Sequence, residues 1–297
     1  MATLVGKLTR EVYRRELLPA RARWWLAAEG MCDWYRVLGS RLRPHVADSR
    51  TLLAQLSVRM FERRYAALRE AHPSARLPSP DGRPRLIAQV MRGLYRVDRS
   101  SNSAWIFVDD AKVTPLGRVA DRVRTHQLLA PLSSEARWRE VTAHLGELLI
   151  VLTEDLPAHL PHARKILGDI CFAAGARFAE RVKKTMGIAD APDNAPAAAM
   201  EVLRMSEYVF RVNPEHWGET DAAARTGFLE GTACPWFMRP GWNGAHCGIF
   251  GQFQSGIASV FDLRYLLSKT IPKHGGHTCR IDLKPIDPVV QLRVPTR

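Results

Sequence analysis

The chain has 297 residues, 46% of them hydrophobic and 25% charged, with a formal net charge of +13. That is an ordinary globular composition with ample apolar material for a core, so a folded, soluble protein is expected. Five cysteines in so long a chain exclude a disulfide scaffold, and no apolar run approaches the roughly 20 residues of a membrane span. The first residues, MATLVGKLTREVYRRELL, lack the apolar core of a signal peptide. The expected compartment is therefore the reducing cytoplasm, with free thiols. The basic balance permits nucleic acid, anionic membrane or an acidic substrate and demands none of them. The arginines are dispersed, with no dense run, which reads as a solvated surface.

From Lys7 to about His72 the apolar residues recur at helical spacing, as at Trp34, Val37, Leu38 and Leu42. Ser49 to Arg69 carries a second stripe of Leu52, Leu53, Leu56, Met60 and Phe61. PSARLPSPDGRPR predicts a loop, and a helix is expected from Leu86 to Arg96. SAWIFVDD suggests a short strand at Trp105 to Val108. Ser133 or Ser134 is placed to cap a helix running from about Glu135 to Leu152. The helix from His162 to about Met186 puts Ala163, Ile166, Leu167, Ile170, Cys171, Ala174 and Phe178 on one face. Gly168 and Gly175 lie close together around that helix and would let another backbone approach. Cys171 and Cys32 read as buried core thiols.

After the linker IADAPDNAPAAA the character changes. SEYVFRVNP and TGFLEGTAC look like strands, and CPWFMRPGWNGAHC like a loop. GIFGQFQSGIASVFDLRYLL looks like a helix. LLSKTIP and HTCRIDLKPI read as two strands joined by the HGGH turn. The chain thus divides into a mainly helical region, 1–155, and an α+β region, 156–297. Segregated helices and strands indicate an α+β fold with an antiparallel sheet and packed helices.

His274, His277 and Cys279 crowd one short span, and Cys234, His246 and Cys247 add further metal-competent side chains. No CxxC pair occurs, so the spacing fits no finger or ribbon, and neither metal nor cofactor is assigned. As a nucleophile, Cys247 sits before a helix, where the dipole and free N–H groups lower a thiol's pKa. His246 adjoins it in sequence but points away on an extended segment, so His274 or His277 is the expected base. As a turn, Gly275-Gly276 needs no chemistry at all. Trp236, Phe237 and Trp242 either pin their loop to the core or wall a ligand site. Arg239 is able to clamp a carboxylate.

TACPWF, CGIFGQFQSGIASVF and KTIPKHGGHTCRIDL together resemble the closing half of the L-2-amino-thiazoline-4-carboxylic acid hydrolase-like family. That family is similar to vinyl-reductase-type small-molecule-binding domains, and the resemblance covers about residues 158 to 290. It implies an α+β domain with a closed, largely apolar pocket. Several vinyl-reductase-type relatives hold zinc through Glu-x-x-Cys, a glycine turn and a second Cys. Here the second falls on Cys279, but the first two positions fall on about Ser268 and Ile271. The hydrolase likeness implies water attack on a small sulfur- and nitrogen-containing ring. The site would then be Cys247 as nucleophile, His277 or His274 as base and acid, Arg239 on a substrate carboxylate, and Trp236, Trp242 and His246 lining the pocket.

The expected function is hydrolysis of a C–N or C–S bond in a small cyclic substrate. The alternative is a non-catalytic small-molecule-binding or accessory protein using the same pocket. The N-terminal helices are expected to pack over the pocket or to form a homodimer interface. They show no helix–turn–helix signature and no aromatic interleaving, so nucleic acid is not the expected partner.

Overall fold

The computed structural model describes residues 4–79, 84–97, 106, 114–211, 216–232, 236 and 239–286. In chain order these contain helices α1 (Leu4–Arg14), α2 (Ala20–Leu42), α3 (Ser49–Ala71), α4 (Pro84–Leu94), α5 (Pro115–Leu129), α6 (Ser134–Asp155), α7 (Ala163–Met186) and α8 (Ala195–Phe210). There follow β1 (His216–Asp221), β2 (Thr226–Thr232), α9 (Gly244–Ser259), β3 (Leu263–Lys269), the single turn α10 (Ile271–His274) and β4 (Thr278–Pro285). The class is α+β, with helices and an antiparallel sheet segregated along the chain. No described helix is long and apolar enough to cross a membrane. The chain forms two compact units: residues 19–163, and residues 1–18 together with 164–297.

The helical unit, 19–163, packs α2 and α3 against α6. The expected stripes face inward: Trp34, Val37, Leu38 and Leu42 on α2, and Leu52, Leu53, Leu56, Met60 and Phe61 on α3, are buried. Asp48 caps α3, and the Ser133 hydroxyl accepts from the Ala136 N–H at 3.1 Å to start α6. The core is not wholly apolar. Glu140 accepts from both arms of the Arg64 guanidinium, at 2.9 and 2.8 Å, and from Nε2–H of His144 at 3.0 Å. That leaves His144 Nδ1 to accept from the Tyr95 hydroxyl at 2.6 Å. Burial by itself would raise the Glu140 carboxyl, but His144 and Arg64 outweigh it and hold it down to about 2. A buried charge is tolerable here because both carboxylate oxygens find donors and a guanidinium faces them.

In the mixed unit the sheet order is β1-β2-β4-β3, antiparallel throughout. Leu229, Ile281, Leu283 and Leu263 are buried on its covered face. Helix α8 packs on β1 and β2, and α9 on β3. The sequence expectation of a close backbone approach to α7 is met at Gly175. A Cβ there would come within 1.8 Å of the Phe253 carbonyl oxygen on α9, and one at Gly256 within 2.0 Å of the Phe172 carbonyl oxygen on α7. At Gly168 the nearest atom is Cγ of Gln252, at an ordinary 3.4 Å.

Several expectations need correction. SEYVFRVNP is not a strand: Ser206 to Phe210 close α8, whose cap is Asn194, accepting from the Ala197 N–H at 3.0 Å. The β-branched Val209 there is a buried member of a 3.6-residue stripe. The helix expected through DLRYLL ends at Ser259. Asp262 adopts φ of 56°, which breaks the helix, and Leu263 begins β3. The hairpin before HTCRIDL exists, but its connection is longer than HGGH and includes the turn of α10. Helix α5 and strand β1 have no counterpart among the sequence expectations. The strand expected at Trp105 to Val108 lies outside the described residues except for Ile106, which is buried.

This packing generates two predictions. Gly175→Ala and Gly256→Ala each force backbone apart and should destabilise by about 3 kcal/mol or more, whereas Gly168→Ala should be neutral or slightly stabilising; thermal unfolding separates them. Glu140 has a folded pKa of about 2, below its ordinary 4.5. Its charge therefore stabilises the fold above the ordinary value, and that contribution is lost as pH falls from about 5 towards 2. Urea unfolding of Glu140→Gln across this range should lose that part of the pH dependence, up to about 1.4 kcal/mol per pH unit for one proton.

Candidate functional site

The residues singled out from sequence gather around the start of α9, with one group apart. Asn243 caps α9 by accepting from the Ala245 N–H at 2.9 Å. His246 completes the cap: its Nδ1 accepts from the Asn243 backbone N–H at 3.1 Å. The imidazole is buried and stacks on Trp242 at 5.1 Å between ring centres. Trp236 is fully buried, 5.2 Å from Trp242 and edge-on to Phe250 at 4.8 Å. Trp236 therefore anchors its loop to the interior, while Trp242 is half-buried beside Cys247. The Arg239 N–H donates to the Trp236 carbonyl at 3.1 Å, and its own carbonyl accepts from the Trp242 N–H at 3.0 Å. Arg239 thus forms the turn joining the two tryptophans. Phe237 and Cys234 lie outside the described residues.

Cys247 is half-buried in the first turn of α9, and its sulfur accepts from the Trp242 indole N–H at 3.4 Å. Cys279, at the start of β4, accepts from the Ile271 backbone N–H at 3.4 Å. Burial pushes both thiols up, and each remains up despite its N–H donor; Cys279 adds to the rise at Cys247. That reverses the expectation that the helix start would lower Cys247. Desolvation of the thiolate outweighs the helix terminus.

His274 and His277 are exposed. His274 Nδ1 accepts from the Thr270 N–H at 3.1 Å, which closes the turn of α10. Among the described residues no hydrogen bond joins either histidine to a thiol, and no group of three or more His, Cys, Asp or Glu side chains could hold a metal. The structure therefore brings together Cys247, Cys279, Trp242 and His246, and leaves the two histidines of HGGH at the solvent edge.

Behind the thiols runs a polar chain that sequence reading misses. The Tyr265 hydroxyl donates to Oε1 of Gln254, and Nε2 of Gln254 donates to Oε1 of Glu207 at 3.0 Å. Burial, with Glu207, Cys279 and Cys247 nearby, drives the Tyr265 hydroxyl well up, so it is a proton donor over the whole neutral range. Glu207 is hidden in the sequence because its segment reads as a strand. A glutamate on the apolar face of a helix is the signal that finds it.

A cleft of about 950 Å³ opens between α1, the segment 187–194, α8 and β1, within the same unit. Two of its arginines face carboxylates: Arg10 forms a bidentate pair with Glu201, and Arg14 is 3.3 Å from Glu11. Arg204 also lines the cleft, and its buried Nε has no hydrogen-bond partner among the described residues. Tyr13 and Tyr208 meet edge-to-face, with 6.4 Å between ring centres. Gly218 lets β1 approach α8: a Cβ there would lie 2.6 Å from Cε of Met200.

In comparisons with known proteins, no family model, no curated protein and no solved structure matches the chain.

The thiols give a direct prediction. Iodoacetamide should label Cys247 and Cys279 slowly at pH 7 and progressively faster above the ordinary thiol range, because both are pushed up. Rapid labelling of Cys247 at pH 6 to 7, read by peptide mass spectrometry, would overturn this account of the site.

Proposed function

We propose that the mixed unit binds a small acidic molecule in the cleft between α1, α8 and β1. The observation that carries this reading is Arg204, a guanidinium in the wall of a cavity of about 950 Å³ whose buried Nε has no partner among the described residues. The volume lies in the range of small-molecule sites. Burying a guanidinium N–H without an acceptor is costly, and a ligand carboxylate supplies an acceptor that the described residues do not. Tyr13 and Tyr208 offer an aromatic wall for the remainder of the ligand. This is the non-catalytic reading of the fold: a pocket that holds a ligand without bond cleavage.

Hydrolysis of a C–N or C–S bond in a small cyclic substrate is the second reading. It draws on the closeness of Cys247 and Cys279 and on the buried proton donor Tyr265. It requires a thiolate, which burial opposes, and a base, which neither His274 nor His277 provides by any hydrogen bond to the thiols. Binding without catalysis therefore has the stronger support.

A panel of aromatic carboxylates and the corresponding amides, screened by thermal shift, tests the binding reading. A carboxylate at about 100 times its Kd should stabilise the chain by about 2.7 kcal/mol. Its amide should do much less. Arg204→Gln should abolish the shift, and Arg204→Lys should keep part of it. A panel in which no carboxylate shifts the wild type, or in which Arg204→Gln responds as the wild type does, sinks the proposal.

A further inference from the structure

The helical unit carries a second constellation, built from the run Arg21-Ala22-Arg23-Trp24-Trp25 at the start of α2. Trp24 is buried, and its indole N–H donates to the Leu94 carbonyl at 2.8 Å, tying α2 to the end of α4. Just beyond, Arg96 adopts φ of 57°, a left-handed conformation. Its guanidinium carbon lies 3.8 Å from the ring centre of Trp25, and that of Arg21 lies 4.8 Å from the same ring. Trp25 itself is 37% exposed.

Two further arginines lie on buried tryptophans beside this stack. Arg137 sits 4.9 Å over Trp24 and donates to the Leu129 carbonyl at 2.6 Å, and Arg23 sits 4.0 Å over Trp138. Glu135 lies 3.8 Å from Arg23 and also pairs with Arg139 at 2.8 Å. Arg21 and Arg96 have no ion pair with any described residue. Burial lowers the Arg137 pKa, and the charge of Arg21 lowers it further.

A guanidinium stacked on an indole uses its face and keeps its in-plane N–H groups, the geometry that grips a phosphodiester. Its outer face is a platform for an unpaired base. The net charge of +13 attracts a polyanion over a long range. We propose that Arg21, Trp25 and Arg96, flanked by Arg23 and Arg137, form a binding surface for single-stranded nucleic acid. Phosphates lie against the in-plane N–H groups of Arg21 and Arg96, and bases stack on the exposed planes of the Arg–Trp layer. This surface is independent of the small-molecule cleft, and it replaces the expectation that these helices lack aromatic interleaving.

The test is fluorescence anisotropy of the full-length chain with fluorescein-labelled dT20 and rU20 between 50 and 200 mM salt. The wild type should bind single strands more tightly than a duplex of equal length. Arg21→Gln with Arg96→Gln should weaken binding at least tenfold at 100 mM salt. It should also make the slope of log K against log salt shallower by about 1.4, or about 0.7 for each phosphate no longer neutralised. Trp25→Ala should weaken binding with little change in slope, and Trp25→Phe should restore part of it. The substituted side chains are exposed, and circular dichroism melting confirms that each variant is folded. The proposal is overturned by absence of binding at 50 mM salt, by a duplex bound as tightly as the single strand, or by an unaltered Kd in the double arginine variant. Phosphatidylserine vesicles that displace the oligonucleotide, and whose binding also depends on Arg21 and Arg96, would assign the surface to a membrane and overturn it as well.

Discussion

The crossing of α7 and α9 at Gly175 and Gly256 is the constraint on which the mixed unit depends. Carbonyl oxygens of each helix occupy the space where the other would carry a Cβ. So close an approach fixes the rotation and height of α9 over the sheet, because any slide along the axis brings a side chain against backbone. Cys247, Gln254 and Phe253 all ride on α9. The thiol site, the polar chain to Glu207 and the contact of Phe253 with Phe178 at 5.8 Å therefore inherit their positions from two glycines that carry no chemistry.

The two units solve the problem of buried polar groups in the same way. In the helical unit Arg64, Glu140, His144 and Tyr95 form a connected set in which both Glu140 oxygens and both His144 nitrogens are hydrogen-bonded. In the mixed unit Tyr265, Gln254 and Glu207 form a shorter chain between α8, α9 and β3. Such sets add little net stability relative to an apolar core, but each accepts one geometry. Arg204 is the contrast. Its buried Nε meets no acceptor among the described residues, and it lies in a cleft wall rather than in a packed interior. That difference is why the small-molecule reading rests on Arg204 and not on the more conspicuous cysteines and histidines.

The cysteines show how a local rule can be right and still lose. A helix start does favour a thiolate, and the Trp242 indole N–H favours it too. Both effects act over a few ångströms on a sulfur that is half removed from water, and the desolvation cost is larger. His246 illustrates a related point. It resembles a ligand-lining residue because it adjoins Cys247, but a histidine three residues after Asn243 is also placed to close the helix cap, and that is the role it takes.

The sequence by itself determined the helices with clean 3.6-residue stripes, a cap at Ser133 or Ser134, small residues on one side of α7 and the segregation of helices from strands; the structure selected Ser133 and Gly175. These depend on patterns within a few turns of chain, where local sterics and burial agree. The cleft, the raised thiols, the Glu207 chain and the Arg–Trp layer were decided only by the tertiary structure. Arg21 and Arg96 are far apart in sequence, as are Arg10 and Glu201 or Tyr265 and Glu207. Their meeting depends on how helices cross and strands pair, and desolvation depends on what covers a group. Neither is a property of a residue and its near neighbours in the chain. Val209 marks the boundary between the two kinds of knowledge: its β-branching favours a strand locally, and the sheet beneath α8 made it part of the inner face of a helix.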